Sequence, residues 1–263
     1  MYTNAFIGCC IFLGLACNST TKNQYHTPPL SSSMITPAVT ADCPYDRLQD
    51  IPLPKGYQRL ATGKGSFGEW LLQIGLKKSN IVHLYNGTVK PNQHAQFAAL
   101  DIPVGKKNLQ QCADAVMRLR ASFLYDVGKY EEIYFADNNG KGYRFSPPYT
   151  KQHFEQFLER VFGMCGTASL EKQLTRKKIR QVVAGDVLIR GGFPGHTVMV
   201  MDVAINAVGQ KIYLLAQSYM PAQDIHLLKN PADATLSPWY TVTEAWMIVT
   251  PEYHFTRNEL STW

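Results

Sequence analysis

The sequence lacks an apolar run long enough to cross a membrane. The uncharged apolar stretch at residues 5–16 is too short for a transmembrane helix and has the length of a signal-peptide core. No Lys or Arg precedes this stretch, although most signals carry one. The pattern therefore predicts an exported chain with residues 1–16 as its signal peptide, and a buried N-terminal helix is the alternative.

Cysteine is sparse, with six in 263 residues, and Cys9 and Cys10 lie inside the predicted signal. Cys17 directly follows small residues at the end of the apolar run, which is typical of a signal whose cysteine accepts a lipid and becomes the first residue of the mature chain. We predict a lipid anchor at Cys17, with cleavage without lipidation as the alternative. The remaining three cysteines are expected either to include a disulfide, for which Cys43–Cys165 is one arrangement, or to be reduced and buried.

Charge is almost absent from residues 17–41, which are rich in Ser, Thr, Asn and Pro. Such a segment buries too little apolar area to fold, so we predict a disordered tether. Residues 42–263 are long enough for a single domain with a sizeable core. The net charge of +6 is modest and mostly scattered. In an exported protein it suits an anionic wall polymer or a membrane surface and argues against nucleic acid.

Periodicity predicts helices in the first part of the domain and strands in the second. Helices are expected from Asn108, as N-cap, to about Phe123, over 151–163, over 170–174, and from Ser66. Strands are expected at 81–85 and 95–102 around an Asn86-Gly87 turn, and at 133–135, 187–189, 196–203, 211–217 and 246–249. Helices followed by an antiparallel meander predict an α+β domain with one sheet.

Three polar residues indicate thiol chemistry. Cys112 falls near the start of the capped helix, where backbone N–H groups and the helix dipole favour a thiolate. His196 begins a strand after the glycine-rich segment 191–195, and Gln217 ends the next strand, so a hairpin brings their side chains together. A thiol, an imidazole and a polar group that orients it are the minimum set for nucleophilic catalysis by cysteine. The alternative is a core cysteine, since cysteine is often buried.

The segments AGDVLI at 184–189 and GHTVMV at 195–200 resemble the region around the catalytic histidine of NlpC-type and CHAP-type cell-wall peptidases. That resemblance implies a papain-like fold, in which a helix packs on an antiparallel sheet, and amide hydrolysis without a cofactor. It implies Cys112 as nucleophile, His196 as base and Gln217 as the residue that orients the base.

The surroundings of the cysteine depart from that resemblance. Gln111 precedes Cys112 where those peptidases have Asp, Ala113 and Asp114 follow where they have Ser-Gly, and Cys112 is expected about four residues into its helix.

A second resemblance spans nearly the whole mature chain. The strings GSFGEW at 65–70, LQQCADAVMRLR at 109–120 and AQSYMPAQD at 216–224 resemble an uncharacterised family of Bacteroidetes envelope proteins, which implies no established activity.

A polar and aromatic cluster after Gln217 predicts a substrate groove. Its proposed members are Tyr219, Gln223, Asp224 and Trp239, because exposed aromatic side chains are a binding cue, and core positions are the alternative. The seven histidines show no metal-ligand spacing, so no metal is predicted.

Two functions follow from these patterns. The first is a cell-envelope thiol hydrolase that cleaves an amide bond in peptidoglycan peptides. The second is a non-catalytic envelope lipoprotein that binds a peptide or glycan in the same cleft, and a purely structural assembly subunit is a third reading.

Overall fold

A computed structural model describes residues 42–263. The predicted signal peptide, Cys17 and the predicted tether at 17–41 lie outside the described residues. Within residues 42–263 the α-helices are α1 (Phe67–Leu72), α2 (Cys112–Asp126), α3 (Lys151–Met164) and α4 (Thr167–Glu171). The strands of the same range are β1 (Tyr57–Arg59), β2 (Gln96–Ala99), β3 (Tyr134–Ala136), β4 (Gly142–Arg144), β5 (Thr175–Arg176), β6 (Val187–Arg190), β7 (His196–Asn206), β8 (Lys211–Gln217), β9 (His226–Leu228), β10 (Tyr240–Thr241), β11 (Met247–Val249), β12 (His254–Thr256) and β13 (Leu260–Thr262).

One large antiparallel sheet organises the domain. Its main path runs β2-β9-β8-β7-β6-β13-β5, with β1 added beside β7 and β10 beside β8. The strands β6 to β9 are consecutive in the chain and adjacent in the sheet, as expected of a meander. Two hairpins, β3-β4 and β11-β12, lie apart from this sheet. The chain is therefore of the predicted α+β class, and its sheet is antiparallel.

The long strand β7 is buried on both faces of the sheet. Met199 and Met201 belong to the larger apolar cluster, which also contains the buried residues of α2 and α3. Val198 and Val200, which alternate with them, belong to a second cluster with Phe255 of β12. This alternation follows from the two-residue period of a strand. Because β7 is covered from both sides, its first residue is held in the interior.

Helix α2 is the central helix of the domain and is buried almost all round. It begins at Cys112 and not at the expected N-cap Asn108. The N-cap is Gln111, whose backbone N–H donates to Asp114 Oδ2 at 2.9 Å. Asn108 is used differently, since its Oδ1 accepts the backbone N–H of Ala222 at 2.7 Å. Cys112 is therefore the first helical residue, and the expectation that it lies about four residues into the helix was wrong.

The other sequence-predicted elements have mixed outcomes. Helix α3 and the strands β6, β7 and β8 are confirmed with small shifts of their ends, and α4 begins three residues before the predicted Leu170. The predicted hairpin around Asn86-Gly87 was wrong, because residues 81–85 form only isolated bridges and β2 pairs with β9. The side chain of Gln93 accepts the backbone N–H of Val82 and donates to its carbonyl oxygen. At Val82, side-chain bonds therefore take the place of the strand pairing that was predicted.

No helix among residues 42–263 is long and apolar enough to span a bilayer. Nor does that part of the chain bring three or more His, Cys, Asp or Glu side chains together as metal ligands.

Cys43, Cys112 and Cys165 are all free thiols. The Cys43–Cys165 disulfide, one of the two expected arrangements, is therefore not formed.

Candidate functional site

A cavity of about 280 Å³ opens at the start of α2. Both Cys112 and His196 line it, so α2 and β7 bring the predicted thiol and imidazole to one site. The other lining residues come from the ends of α2 and α3, from the loop before β7 and from the chain after β8: Gln111, Ala113, Asp114, Phe162, Cys165, Gly166, Thr167, Gly192, Phe193, Pro194, Gly195, Tyr219, Met220 and Tyr253.

Gly195 controls how the chain enters β7. A Cβ at this position would lie 2.5 Å from the carbonyl oxygen of Gly192, 2.5 Å from Thr167 Oγ1 and 2.9 Å from the carbonyl oxygen of Arg190. Only glycine avoids these contacts, two of which are with backbone atoms that cannot move independently. His196 follows directly and pairs with Arg190 in the β6-β7 ladder. The tight glycine turn thus places the imidazole at the cavity.

The imidazole of His196 is held by the amide of Gln217, as the hairpin argument expected. His196 Nε2 lies 2.8 Å from Gln217 Oε1. The NH₂ group of Gln217 donates to Glu252 Oε2 at 2.7 Å and lies 3.4 Å from His226 Nε2. A carboxylate only accepts, so the NH₂ group must face Glu252 and Oε1 must face His196. His196 therefore carries its proton on Nε2, which leaves Nδ1 unprotonated and able to act as a base.

An ion pair between the buried Lys90 and the partly buried Glu252 supports this orientation. Lys90 Nζ lies 2.8 Å from Glu252 Oε2, and Asn92 Nδ2 donates to Glu252 Oε1 at 3.0 Å. Lys90 is 4% exposed, and its burial lowers the pKa of its ammonium group, whereas the bond to Glu252 raises it. His226 adds a second constraint, because its Nδ1 donates to the carbonyl oxygen of Asp224 and its Nε2 is left to accept. The Gln217 amide is thus fixed from the side opposite His196.

The pKa values of the thiol and the imidazole make both groups neutral at pH 7. The pKa of Cys112 is raised to about 11, mainly by burial and also by the nearby Asp114 charge, although backbone N–H groups of Ala113 and Thr197 lower it. Burial lowers the pKa of His196 to about 4, against the Gln217 bond and the Glu252 charge that raise it. Within residues 42–263 no hydrogen bond joins the thiol to the imidazole; the sulfur lies instead against the backbone of Thr197, the residue next to His196.

Aromatic rings enclose the imidazole on several sides. The ring centroid of His196 lies 4.8 Å from that of Tyr219, 5.0 Å from that of Tyr253 and 5.9 Å from that of Phe255. Together with the Gln217 bond, these rings limit rotation of the imidazole and exclude water from it. They also explain why burial dominates the pKa of His196.

The predicted substrate residues are divided between the cavity and the core. Tyr219 lines the cavity, whereas Gln223, Asp224 and Trp239 are each 1% exposed and do not line it. Asp224 pairs with Lys77 Nζ at 2.8 Å. Trp239 Nε1 donates to the carbonyl oxygen of Pro52 at 3.0 Å. The polar groups of Asp224 and Trp239 are therefore bonded inside the fold, whereas the buried Nε2 of Gln223 has no hydrogen-bond partner among residues 42–263.

Several residues of the site escaped the sequence analysis. Glu252, Lys90 and His226 are far apart in the sequence and in irregular or short segments, so no spacing connects them with Gln217. Asp114 is different, because an acidic residue at the third position of a helix is a recognisable cap partner. Placing the helix start at Asn108 hid this signal.

The fold and the site together define an α+β protein in which a cysteine opens the central helix and shares a cavity with a glutamine-held histidine. Residues 48–147 and 143–262 match the family described as Domain of unknown function (4846), and the chain belongs to that family. The comparisons with curated proteins and with solved structures found no match to the chain. The family description carries no activity.

Proposed function

We propose that the protein is a cysteine hydrolase of the cell envelope that cleaves an amide bond in peptidoglycan peptides, with Cys112 as nucleophile, His196 as base and Gln217 as the residue that positions the base. The observation that carries the proposal is the shared cavity, in which Cys112 opens α2 and His196 is fixed with its Nδ1 unprotonated. A helix start and a held imidazole are the two features that activate a thiol.

The chemistry proceeds in two halves. The Cys112 proton passes to His196 Nδ1 as Sγ forms a bond to the amide carbon, and backbone N–H groups at the start of α2 stabilise the oxyanion. His196 then donates that proton to the nitrogen, the C–N bond breaks and an amine leaves. Water next attacks the thioester carbon and gives one proton to His196 Nδ1. The C–S bond then breaks, a carboxylic acid leaves, and His196 returns the proton to Sγ to restore the thiol and the neutral imidazole.

The neutral resting state determines how the proton moves. With a pKa of about 11 for Cys112 and about 4 for His196, a thiolate–imidazolium pair is unfavourable before substrate binds. Proton transfer is therefore coupled to attack on the carbonyl and does not precede it. Transfer needs a heavy-atom distance of about 3 Å or one bridging water, and such bonds often tighten only when substrate is bound.

The wider arrangement supports a papain-like relationship. A cysteine at the start of a helix that packs on an antiparallel sheet, and a histidine at the start of a strand, are what the resemblance to NlpC-type and CHAP-type peptidases implied. Export and lipidation at Cys17, both proposed from the sequence, would hold the domain near wall polymer. The envelope location and the substrate are thus parts of one proposal.

The test is the rate at which the protein hydrolyses purified peptidoglycan and its stem peptides. The rate is measured as the appearance of free amino groups. Cys112→Ala and His196→Ala are expected to abolish turnover, and Gln217→Ala to reduce it. Cys165→Ala is the matched control, because it removes the other thiol that lines the cavity and leaves the proposed nucleophile. Equal rates for wild type and Cys112→Ala would remove Cys112 as nucleophile.

The second candidate is a non-catalytic protein that binds a peptide or glycan in the same cavity. The raised pKa of Cys112 favours it, because a protonated thiol is a poor nucleophile. If folded protein leaves Cys112 unlabelled by iodoacetamide and still binds a muropeptide, this function replaces the first.

A further inference from the structure

A second cavity, of about 350 Å³, lies between α2, α3 and the loop that precedes α2. Phe162 of α3 lines this cavity and also the one that contains Cys112, so the two cavities are adjacent. Neither the thiol nor the imidazole lines the second cavity. Groups on its wall would therefore contact a part of the ligand that lies beyond the reacting bond.

The wall of the second cavity is more basic than acidic. It is lined by Lys106, Lys107 and Arg118 together with Glu155 and Glu159. Lys107 Nζ pairs with Glu159 at 2.7 Å, whereas the exposed Lys106 has no ion-pair partner among residues 42–263. Neither lysine nor arginine is among the described residues that line the first cavity. An anionic group is therefore attracted to the second cavity in preference to the first.

Arg118 is buried in this wall with most of its N–H groups unused. The residue is 8% exposed, and its guanidinium carbon lies 5.3 Å from the ring centroid of Phe162. Within residues 42–263 only its Nη1 is hydrogen-bonded, to Glu155 Oε2 at 2.9 Å, and its buried Nε has no partner. Glu155 also pairs with Lys151 Nζ at 3.2 Å, so its charge is shared between two cations. A buried donor without an acceptor is costly, which makes this guanidinium a candidate to bind a carboxylate.

Gln110 has the opposite deficiency on the same wall. The residue is 1% exposed, and its Nε2 donates to the carbonyl oxygen of Gln223 at 3.4 Å. Its buried Oε1, which can only accept, has no hydrogen-bond partner in the described part of the chain. The cavity thus combines an unpaired donor on Arg118 with an unpaired acceptor on Gln110. A carboxylate alone would satisfy only the donor, whereas a carboxylate next to an amide N–H would satisfy both.

We propose that the second cavity binds the C-terminal residue of a peptide ligand. The carboxylate of that residue accepts from Arg118 near the charge of Lys106, and its amide N–H donates to Gln110 Oε1. Nε and Oε1 have almost no exposure themselves, so both side chains rotate slightly as the ligand binds. Because the two cavities share Phe162, the peptide continues from this site towards Cys112. Specificity for peptides cut close to a free carboxyl end rests on the proposed function, but the binding site itself does not.

Small ligands test the site without hydrolysis. N-acetylglycine, which has the carboxylate and the adjacent N–H, is titrated into full-length Cys112→Ala protein, and the Nε–Hε resonance of Arg118 is followed by NMR. N-acetylglycine is expected to shift this resonance, and N-acetylglycinamide, which lacks the carboxylate, to leave it unchanged. Acetate lacks the N–H and should bind about fivefold more weakly than N-acetylglycine, the effect of one hydrogen bond.

Variants in the same background assign the affinity to residues, with calorimetry as the measurement. Arg118→Lys keeps the charge and removes the Nε–H, so N-acetylglycine should bind about tenfold more weakly. Lys106→Met should weaken binding about threefold, because solvent screens an exposed charge. Lys64→Met is the matched control and should bind like the parent protein, since Lys64 is likewise exposed and does not line the cavity. The two exposed lysines keep the test independent of a change to the buried arginine.

The site is overturned if N-acetylglycine leaves the Arg118 resonance in place, or if Lys106→Met and Lys64→Met bind it equally well. It is also overturned if inorganic phosphate binds as tightly as N-acetylglycine, because the cavity would then recognise an anion and not a peptide end. Hydrolysis is measured separately: peptides with a free carboxyl end should have a lower KM than their C-terminal amides, and the difference should shrink in Lys106→Met. Binding of N-acetylglycine together with no hydrolysis would keep this site and remove the hydrolase.

Discussion

At the scale of single residues, the side-chain amide of Gln217 determines which nitrogen of His196 is unprotonated. Gln217 Oε1 faces His196 because the NH₂ group on the other side of the amide is held by Glu252. The unprotonated Nδ1 is thus a consequence of an ion pair that is remote from the thiol in sequence. Lys90 matters for the same reason, since its charge offsets that of the partly buried Glu252.

Removing that ion pair is expected to release the amide. In the double variant Lys90→Met with Glu252→Leu, Gln217 loses its carboxylate acceptor and keeps only the 3.4 Å contact with His226. Both Gln217 orientations then become accessible, so His196 should change from the Nε2–H form to a mixture of tautomers. Imidazole ¹⁵N chemical shifts measure the change directly. Removing both charges together avoids leaving an unpaired one in the interior.

The exposed Glu244 provides the control for this experiment. It pairs with Arg180 and Arg257 on the surface, away from His196. Glu244→Leu should leave the ¹⁵N shifts of His196 as in wild type. Wild-type shifts in the double variant would show that the ion pair does not set the tautomer.

At the scale of elements, the loop between β6 and β7 positions the base. Gly195→Ala is expected to push Cβ against the Gly192 carbonyl and Thr167 Oγ1, so the loop must shift and carry His196 with it. We expect a loss of about 1–3 kcal/mol in the free energy of unfolding, the usual cost of overpacking. Urea unfolding measures it, and the His196–Gln217 bond should weaken in parallel.

A glycine in open space is the comparison. Gly163 lies in α3, and a Cβ there would meet nothing within 4 Å. Gly163→Ala should be neutral or stabilise the fold by up to about 1 kcal/mol, because alanine is the better helix former. The same unfolding midpoint for Gly195→Ala and Gly163→Ala would contradict the prediction. It would show that the close contacts around Gly195 do not position His196.

At the scale of the whole molecule, the last residues of the chain complete the sheet. Strand β13 lies between β6 and β5, so the C-terminus is an interior strand. Leu260 is fully buried in the second apolar cluster. A chain that ends at Glu259 is expected to lose the ladder on one side of β6, which also pairs with β7, the strand of His196. The far-UV circular dichroism and thermal midpoint of the truncated chain should both fall relative to the full chain, and an unchanged midpoint would contradict this role.

The local pattern of the sequence was sufficient for the class of the fold and for two partners of the site. Alternation in β7 and β8, with a turn between them, brings His196 to Gln217, because an antiparallel hairpin places the start of one strand beside the end of the next. The α2 pattern also placed Cys112 near a helix start. Short-range periodicity carries this information because each element is set mainly by its own residues.

Tertiary structure decided the rest. Helix α2 begins at Cys112, although Asn108 was the predicted N-cap. The side chain of Asn108 instead accepts the backbone N–H of Ala222, which is 114 positions away. Asp224 and Trp239 were taken into the core by contacts with Lys77 and Pro52, and the carbonyl oxygen of Gln223 accepts a bond from Ser218 Oγ. The Glu252–Lys90 pair likewise depends on chain segments that no local spacing connects. Contacts between distant segments set burial, and burial sets which side chains are charged and which remain free to act.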